Sequence, residues 1–226
     1  LRAQLQDMMQ HDARNVCVLP MPRDFRPDTT ANRMDVDYLS PEFFVRVKIA
    51  VDEAARLGMH YWLYDEGGWP SGQATGRVAA ARPDLGMQIM QADDAGQWSL
   101  RMNAGRPDLL NPETTDTFIR LTHDKYRDSV GDHFGKAIKL VFTDEPAYPA
   151  VRNGRDVPWT TGADDLFIQQ SGYRLQDQLR RAFRPAAASE YSPEELQQRI
   201  DAFDFWSGRF RDAYFERLRI WCREHD

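Results

Sequence analysis

Residues 40–68 read SPEFFVRVKIAVDEAARLGMHYWLYDEGG, and the succession of residue types in this stretch decides the fold class. Ser40 can cap the free N–H groups of a helix start, Pro41 suits the first helical position because its missing N–H has no partner there, and Glu42 complements the positive helix end. Phe44, Val47, Val51, Ala54 and Ala55 keep helical spacing until Gly58, which predicts a helix over 41–57. Met59 to Tyr64 is then a short apolar run that ends in Asp65-Glu66-Gly67-Gly68, the pattern of a buried strand running into a loop.

The same order returns downstream. Asn111-Pro112-Glu113 opens a second capped helix, with Phe118, Leu121, Thr122, Tyr126 and Val130 along one face up to Gly131. Ile138 to Thr143 follows as an apolar strand ending in Asp144-Glu145-Pro146. Near the start, Leu5, Met8 and Met9 suit a helix and Val16 to Leu19 a strand; a shorter strand is expected at Asp108 to Leu110. Strands alternating with helices imply parallel pairing, because each crossover needs a helix, so the fold class is α/β with all four strands pointing their carboxyl ends to one side.

Ser192-Pro193-Glu194, with Glu195 at capping-box spacing, begins a last helix. Its apolar face is expected to run through Leu196, Ile200, Phe203, Phe210, Tyr214, Leu218 and Trp221, with Gly208 as its interruption. An eight-stranded barrel takes roughly 250 residues and eight strand signals. Four signals in 226 residues fit the first half of a (β/α)8 barrel, a single partial catalytic domain over 1–226 truncated at its C-terminal end, with a small open sheet as the alternative.

Composition narrows the function classes. No run approaches the roughly 20 apolar residues of a membrane span, so no membrane partner is expected. Acids outnumber bases 35 to 29, which leaves no electrostatic footprint for nucleic acid. Two cysteines, Cys17 and Cys222, cannot build a disulfide framework or a four-cysteine zinc site, and His60, His123 and His133 lack zinc-ligand spacing; no metal ligand is assigned. The opening LRAQLQDMMQHDARN has no signal-peptide core, so the protein is periplasmic or extracellular if a signal lies upstream and cytoplasmic otherwise.

Ligands of parallel α/β sheets bind beyond the carboxyl ends of the strands, where both carboxylate pairs fall. Several carboxylates at one mouth suit general acid/base work, one neutral and another ionised, as glycoside hydrolysis requires. Strand-end acids can equally cap the next helix or pair with arginine. Pro146 stops its strand and fixes Glu145 at the rim, which favours the catalytic role for Glu145, with Asp144 facing away or orienting its neighbours. In the loop DEGGWPSG, Trp69 offers a platform for the apolar face of a sugar; its glycines suggest a phosphate cradle only weakly, because the Lys-Ser/Thr of a P-loop is missing.

Three stretches carry a resemblance. Residues 64–72 (YDEGGWPSG), 108–113 (DLLNPE) and 142–146 (FTDEP) resemble signature stretches of bacterial α-L-rhamnosidase-like glycoside hydrolases of family 106 and relatives, in the same order. Pro158-Trp159-Thr160, Gly172-Tyr173-Arg174-Leu175 and Trp221-Cys222 are similar to the same family, so the likeness spans nearly the whole chain. It implies a catalytic (β/α)8 barrel in a larger multidomain chain that cleaves terminal sugars from plant-type glycans or glycosides. Glu145 and Asp144 are then catalytic, and Asp65, Glu66, Trp69, Ser71, Asn111 and Trp159 contact the carbohydrate. A calcium ion near the substrate is also implied. The segment between Arg77 and Arg106 is shorter than the inserted lobe of such relatives, and a second catalytic carboxylate from a later strand is absent. A carbohydrate-binding or degenerate barrel without turnover is the alternative.

Overall fold

The computed structural model describes residues 1–26, 28, 33–152 and 154–225. In chain order its main elements are α1 (Arg2–Gln10), β1 (Asn15–Cys17), α2 (Pro41–Arg56), β2 (His60–Tyr64), α3 (Arg77–Ala81), β3 (Gly86–Ala92), β4 (Trp98–Pro107), α4 (Pro112–Leu121), α5 (His123–Val130), β5 (Ile138–Phe142), β6 (Asp156–Trp159), α6 (Ala163–Ser171), α7 (Leu175–Ala182), α8 (Pro193–Phe210) and α9 (Glu216–Glu224). They divide into two compact units, one of residues 1–78, 116–146 and 218–226, the other of 79–115 and 147–217.

The first unit is built on a parallel sheet in the order β1-β2-β5. Ser40 accepts the N–H of Phe43 and so starts α2, whose Phe43, Val47, Val51 and Ala54 pack with Tyr61, Leu63 and Ile138 of the sheet and with Tyr126 and Val130 of α5. In the β2–β5 ladder Tyr61 pairs Ile138 but Trp62 pairs Leu140, so Lys139 is an extra residue. This bulge lets Ile138 and Val141 both meet the helices while Leu140 and Phe142 turn to the opposite face. That opposite face is open and apolar: Leu140 and Phe142 remain 38% and 39% exposed, beside a half-buried Trp62. Among the described residues the sheet does not close into a barrel.

The second unit departs from the sequence expectation. Its sheet is antiparallel, ordered β4-β3-β6, and includes a β3–β4 hairpin that the apolar pattern does not announce. The buried positions of β3 are Gly86, Gln88 and Met90, a row without hydrophobic contrast, and β4 is exposed along nearly its whole length. Asp108 to Leu110 is a turn rather than a strand. The Asp108 carboxylate accepts the N–H of Leu110, and this local bond competes with strand pairing.

Two helices are also corrected. Residues 112–130 form two helices, broken at Thr122, whose hydroxyl bonds back to the Phe118 carbonyl. The last helix passes through Gly208 without interruption and is instead disturbed by a π-helical turn at Arg211–Phe215. It buries Gln198, Ala202, Phe205 and Trp206, while Leu196, Ile200 and Phe203 are 39%, 59% and 41% exposed. The bulk of Trp206, packed on Phe183, decides the orientation over the smaller Leu/Ile row. The capping box of Ser192 and Glu195 is present as expected.

Candidate functional site

All three parallel strands stop at the same edge, and there the β2 loop is tied to both neighbours. Gly68 donates its N–H to the Pro20 carbonyl beyond β1, and Ser71 donates its N–H to the Asp144 carbonyl beyond β5. The Ser71 hydroxyl completes the second tie by accepting the N–H of Asp144 at 2.8 Å while donating to Asp65 Oδ1 at 2.6 Å. Ser71 is buried, so its hydroxyl serves the two loops where a sugar contact was expected.

Glu66 is likewise an internal group. Its carboxylate accepts four backbone N–H groups: Oε1 from Gly67 and Thr75, Oε2 from Gln73 and Ala74, all at 2.7–2.9 Å. Burial pushes its pKa upward, against the pull of these donors. The glycine-rich loop does form a nest for an anion, but the anion is the chain's own side chain. Gly67 and Gly68 are required by close approach: a Cβ on Gly67 would meet Thr75 Cγ2 at 2.6 Å and one on Gly68 the Phe25 ring at 2.5 Å. The Glu66 side chain is 1% exposed as a residue and therefore organises the loop where substrate contact was expected.

Asp65 extends from the same face of β2 as Tyr61 and Leu63, toward the helices, and is fully buried. Burial pushes its pKa up to about 7 despite hydrogen bonds from Ser71 and Thr143. Its Oδ2 has no hydrogen-bond partner and lies 3.9 Å from Nε2 of His123, which is also fully buried and also without a partner. The opposite face carries the reachable chemistry. Tyr64 stacks on Phe142 and donates its hydroxyl to Asp144, which is half-buried. Glu145 is exposed and holds a left-handed backbone, φ +47°, directly before Pro146. Such a conformation is strained for a non-glycine residue and is the kind found at functional positions.

Trp69 is half-buried, with the Phe25 ring edge-on at 4.7 Å and the Arg26 guanidinium 4.6 Å over its ring. One aromatic face is thus covered by Arg26 in this arrangement. Asn111 and Trp159 belong to the second unit. Asn111 caps α4 by accepting the Glu113 N–H, and Trp159, 8% exposed, lies in that unit's core, so both have structural work where sugar contact was expected. The second unit also buries Asp108, which accepts from Thr160 at 2.6 Å and is pushed by burial up to about 6.

Calcium would need several oxygen ligands around one point. Among the described residues no group of three or more His, Cys, Asp or Glu side chains is placed to hold a metal, and Asp65 and Glu66 point into internal bonds. The residues here do not make a calcium cage. Among them, too, no helix is long and apolar enough to cross a membrane. His123 lacks zinc-ligand spacing and lies on a helix face that suggests packing, and nothing in its spacing announces that it faces Asp65, because the two are joined only by tertiary packing.

No family model, curated protein or solved structure matches the chain.

Proposed function

We propose that the chain is part of a glycoside hydrolase that removes terminal α-L-rhamnoside-like sugars from plant-type glycans or glycosides, with the carboxyl edge of β1, β2 and β5 as its sugar-facing mouth. The observation that carries this is the meeting of two acid-bearing strand ends, Asp65-Glu66 after β2 and Asp144-Glu145 after β5, on neighbouring parallel strands tied through Ser71. Parallel sheets place ligands at this edge. A partial (β/α)8 barrel is the matching architecture. Parallel sheets ordinarily bury both faces, and further strand-helix units of the same chain would cover the open face of Trp62, Leu140 and Phe142.

Glu145, exposed at the rim, donates a proton to the glycosidic oxygen as the bond from the anomeric carbon breaks. Asp144, held by the Tyr64 hydroxyl on the open face, orients the strand end beside the developing positive sugar. A second carboxylate across the ring takes the proton of the attacking water, and a later strand end of a completed barrel would supply it.

Glu145→Gln in the full-length enzyme tests the assignment. A natural rhamnoside should lose roughly 10²-fold or more in rate, and an aryl rhamnoside whose leaving group needs no proton should lose much less. Equal losses on both remove Glu145 from the acid role. The enclosure of Asp65 and Glu66 favours a second reading, a carbohydrate-binding module, in which the unaltered protein binds rhamnosides without releasing sugar.

A further inference from the structure

We infer that Asp65 and His123 form a proton-holding pair beneath the strand-end loop, in which one proton resides on Asp65 Oδ2 and is directed at the bare Nε2 of His123. The tautomer follows from hydrogen-bond arithmetic. The Thr122 hydroxyl has one hydrogen, and the Phe118 carbonyl takes it at 2.8 Å. Its 2.8 Å contact with His123 Nδ1 must therefore be donated by the imidazole, which fixes the ring as Nδ1–H with a lone pair on Nε2. That lone pair faces Asp65 Oδ2 across 3.9 Å, and both atoms are otherwise orphaned in a site without solvent access. A carboxylate facing a lone pair there would be a buried, unpaired charge; a carboxylic acid facing it needs only a small approach to satisfy both atoms.

The surroundings agree. Facing the pair are Glu66 from its own loop, Tyr38 ahead of α2, Tyr64 of β2, and Asp124 and Tyr126 of α5, with Asp144 beyond Ser71. The three tyrosines are pushed further up by burial and stay neutral. α9 presents Trp221 edge-on to the imidazole, and α4 presents Phe118, neither of which titrates. Asp124 is itself paired with Arg127 at 3.1 Å and accepts the Trp221 indole N–H, and Arg77 lies over the Tyr38 ring. Glu66, pushed upward by burial as Asp65 is, adds a second carboxyl to the site, so a neutral Asp65 avoids one buried negative charge there. Because Asp65 reaches Asp144 through Ser71, His123 is a positioning residue for the loop that carries the strand-end acids.

The pair has a signature in the pH dependence of folding. In the unfolded chain near pH 5, histidine holds the proton and aspartate does not. In the fold, burial takes His123 down to about 3 and Asp65 up to about 7. Folding thus moves one proton from imidazole to carboxyl without net uptake. The opposing linkages cancel between roughly pH 4 and 6.5.

Separating the partners uncovers each slope. Asp65→Asn leaves a neutral amide that can still donate to Nε2; within the pair only the histidine is then linked, and stability relative to the unaltered chain rises with pH up to about 6.5, the linkages of Glu66 and Asp108 being common to both. His123→Phe keeps a ring between Phe118 and Trp221; within the pair only the aspartate is then linked, and stability relative to the unaltered chain falls as pH rises from about 4 to 7. Each slope should approach a tenfold change in the unfolding constant per pH unit relative to the unaltered chain, and the double variant should be flat again. Parallel slopes in both single variants, or none in either, overturn the pair. Should His123→Phe fail to fold, imidazole nitrogen NMR of the unaltered chain decides. A neutral Nδ1–H ring at pH 5–6 supports the assignment, whereas an Nε2–H tautomer or an imidazolium overturns it. These readouts measure protons and stability, so they stand or fall apart from the hydrolase proposal.

Discussion

Glu66 shows how much one side chain can organise. Its two oxygens gather four backbone N–H groups from residues 67, 73, 74 and 75, so the turn after β2 closes on a single buried carboxylate. Glu66→Gln is isosteric, yet its amide nitrogen would face two N–H donors with no acceptor between them. We expect a loss of about 2–4 kcal/mol in urea unfolding, from two unmatched donors and the weaker neutral bonds. A loss under about 0.5 kcal/mol would mean the loop is held by other contacts. The motif around Glu66 was legible as a strand-end acid pair, but its direction was not: an acid and a glycine-rich turn look the same in sequence whether the carboxylate points out to a ligand or back to the chain. Glu145 is the converse case, for Pro146 announces the end of the strand while its strained φ of +47° emerges only from the fold.

Ser71 joins two elements far apart in sequence. It clamps the loop after β2 to the residue after β5 by accepting and donating at Asp144, while its hydroxyl hydrogen goes to Asp65. Removing the hydroxyl in Ser71→Ala leaves the Asp144 N–H and one Asp65 oxygen unmatched, and should cost about 1–3 kcal/mol in thermal or denaturant unfolding. Because the clamp also sets the Asp144 backbone, the rhamnoside hydrolysis proposed above should, if present, fall more in this variant than stability explains; an unchanged rate would separate the clamp from the proposed site. The helix starts at Ser40 and Ser192 were readable because capping is a contact within four residues. The β3–β4 hairpin was not, since its buried row of Gly86, Gln88 and Met90 lacks the apolar contrast that reveals a strand.

At the scale of the whole chain, the open face of the parallel sheet is the feature that most constrains the architecture. Leu140→Ser should cost under about 1 kcal/mol in this chain because the side chain is 38% exposed, whereas Leu63→Ala, at 1% exposure on the helix-covered face, should cost about 2–5 kcal/mol. Denaturant midpoints of the two variants check this, and equal losses would mean that the face is covered. Sequence alone determined the α/β class, the parallel strands near 16–19, 59–64 and 138–143, and the placing of an acid pair after two of them, because helical period, strand length and caps are local properties. Tertiary structure decided which way each acid points. Adjacent residues on a strand face opposite sides, and whether a side meets helices or open space depends on packing between segments dozens of residues apart. That choice sent Asp65 inward to His123 and left Asp144 beside Tyr64, a division that no local pattern encodes.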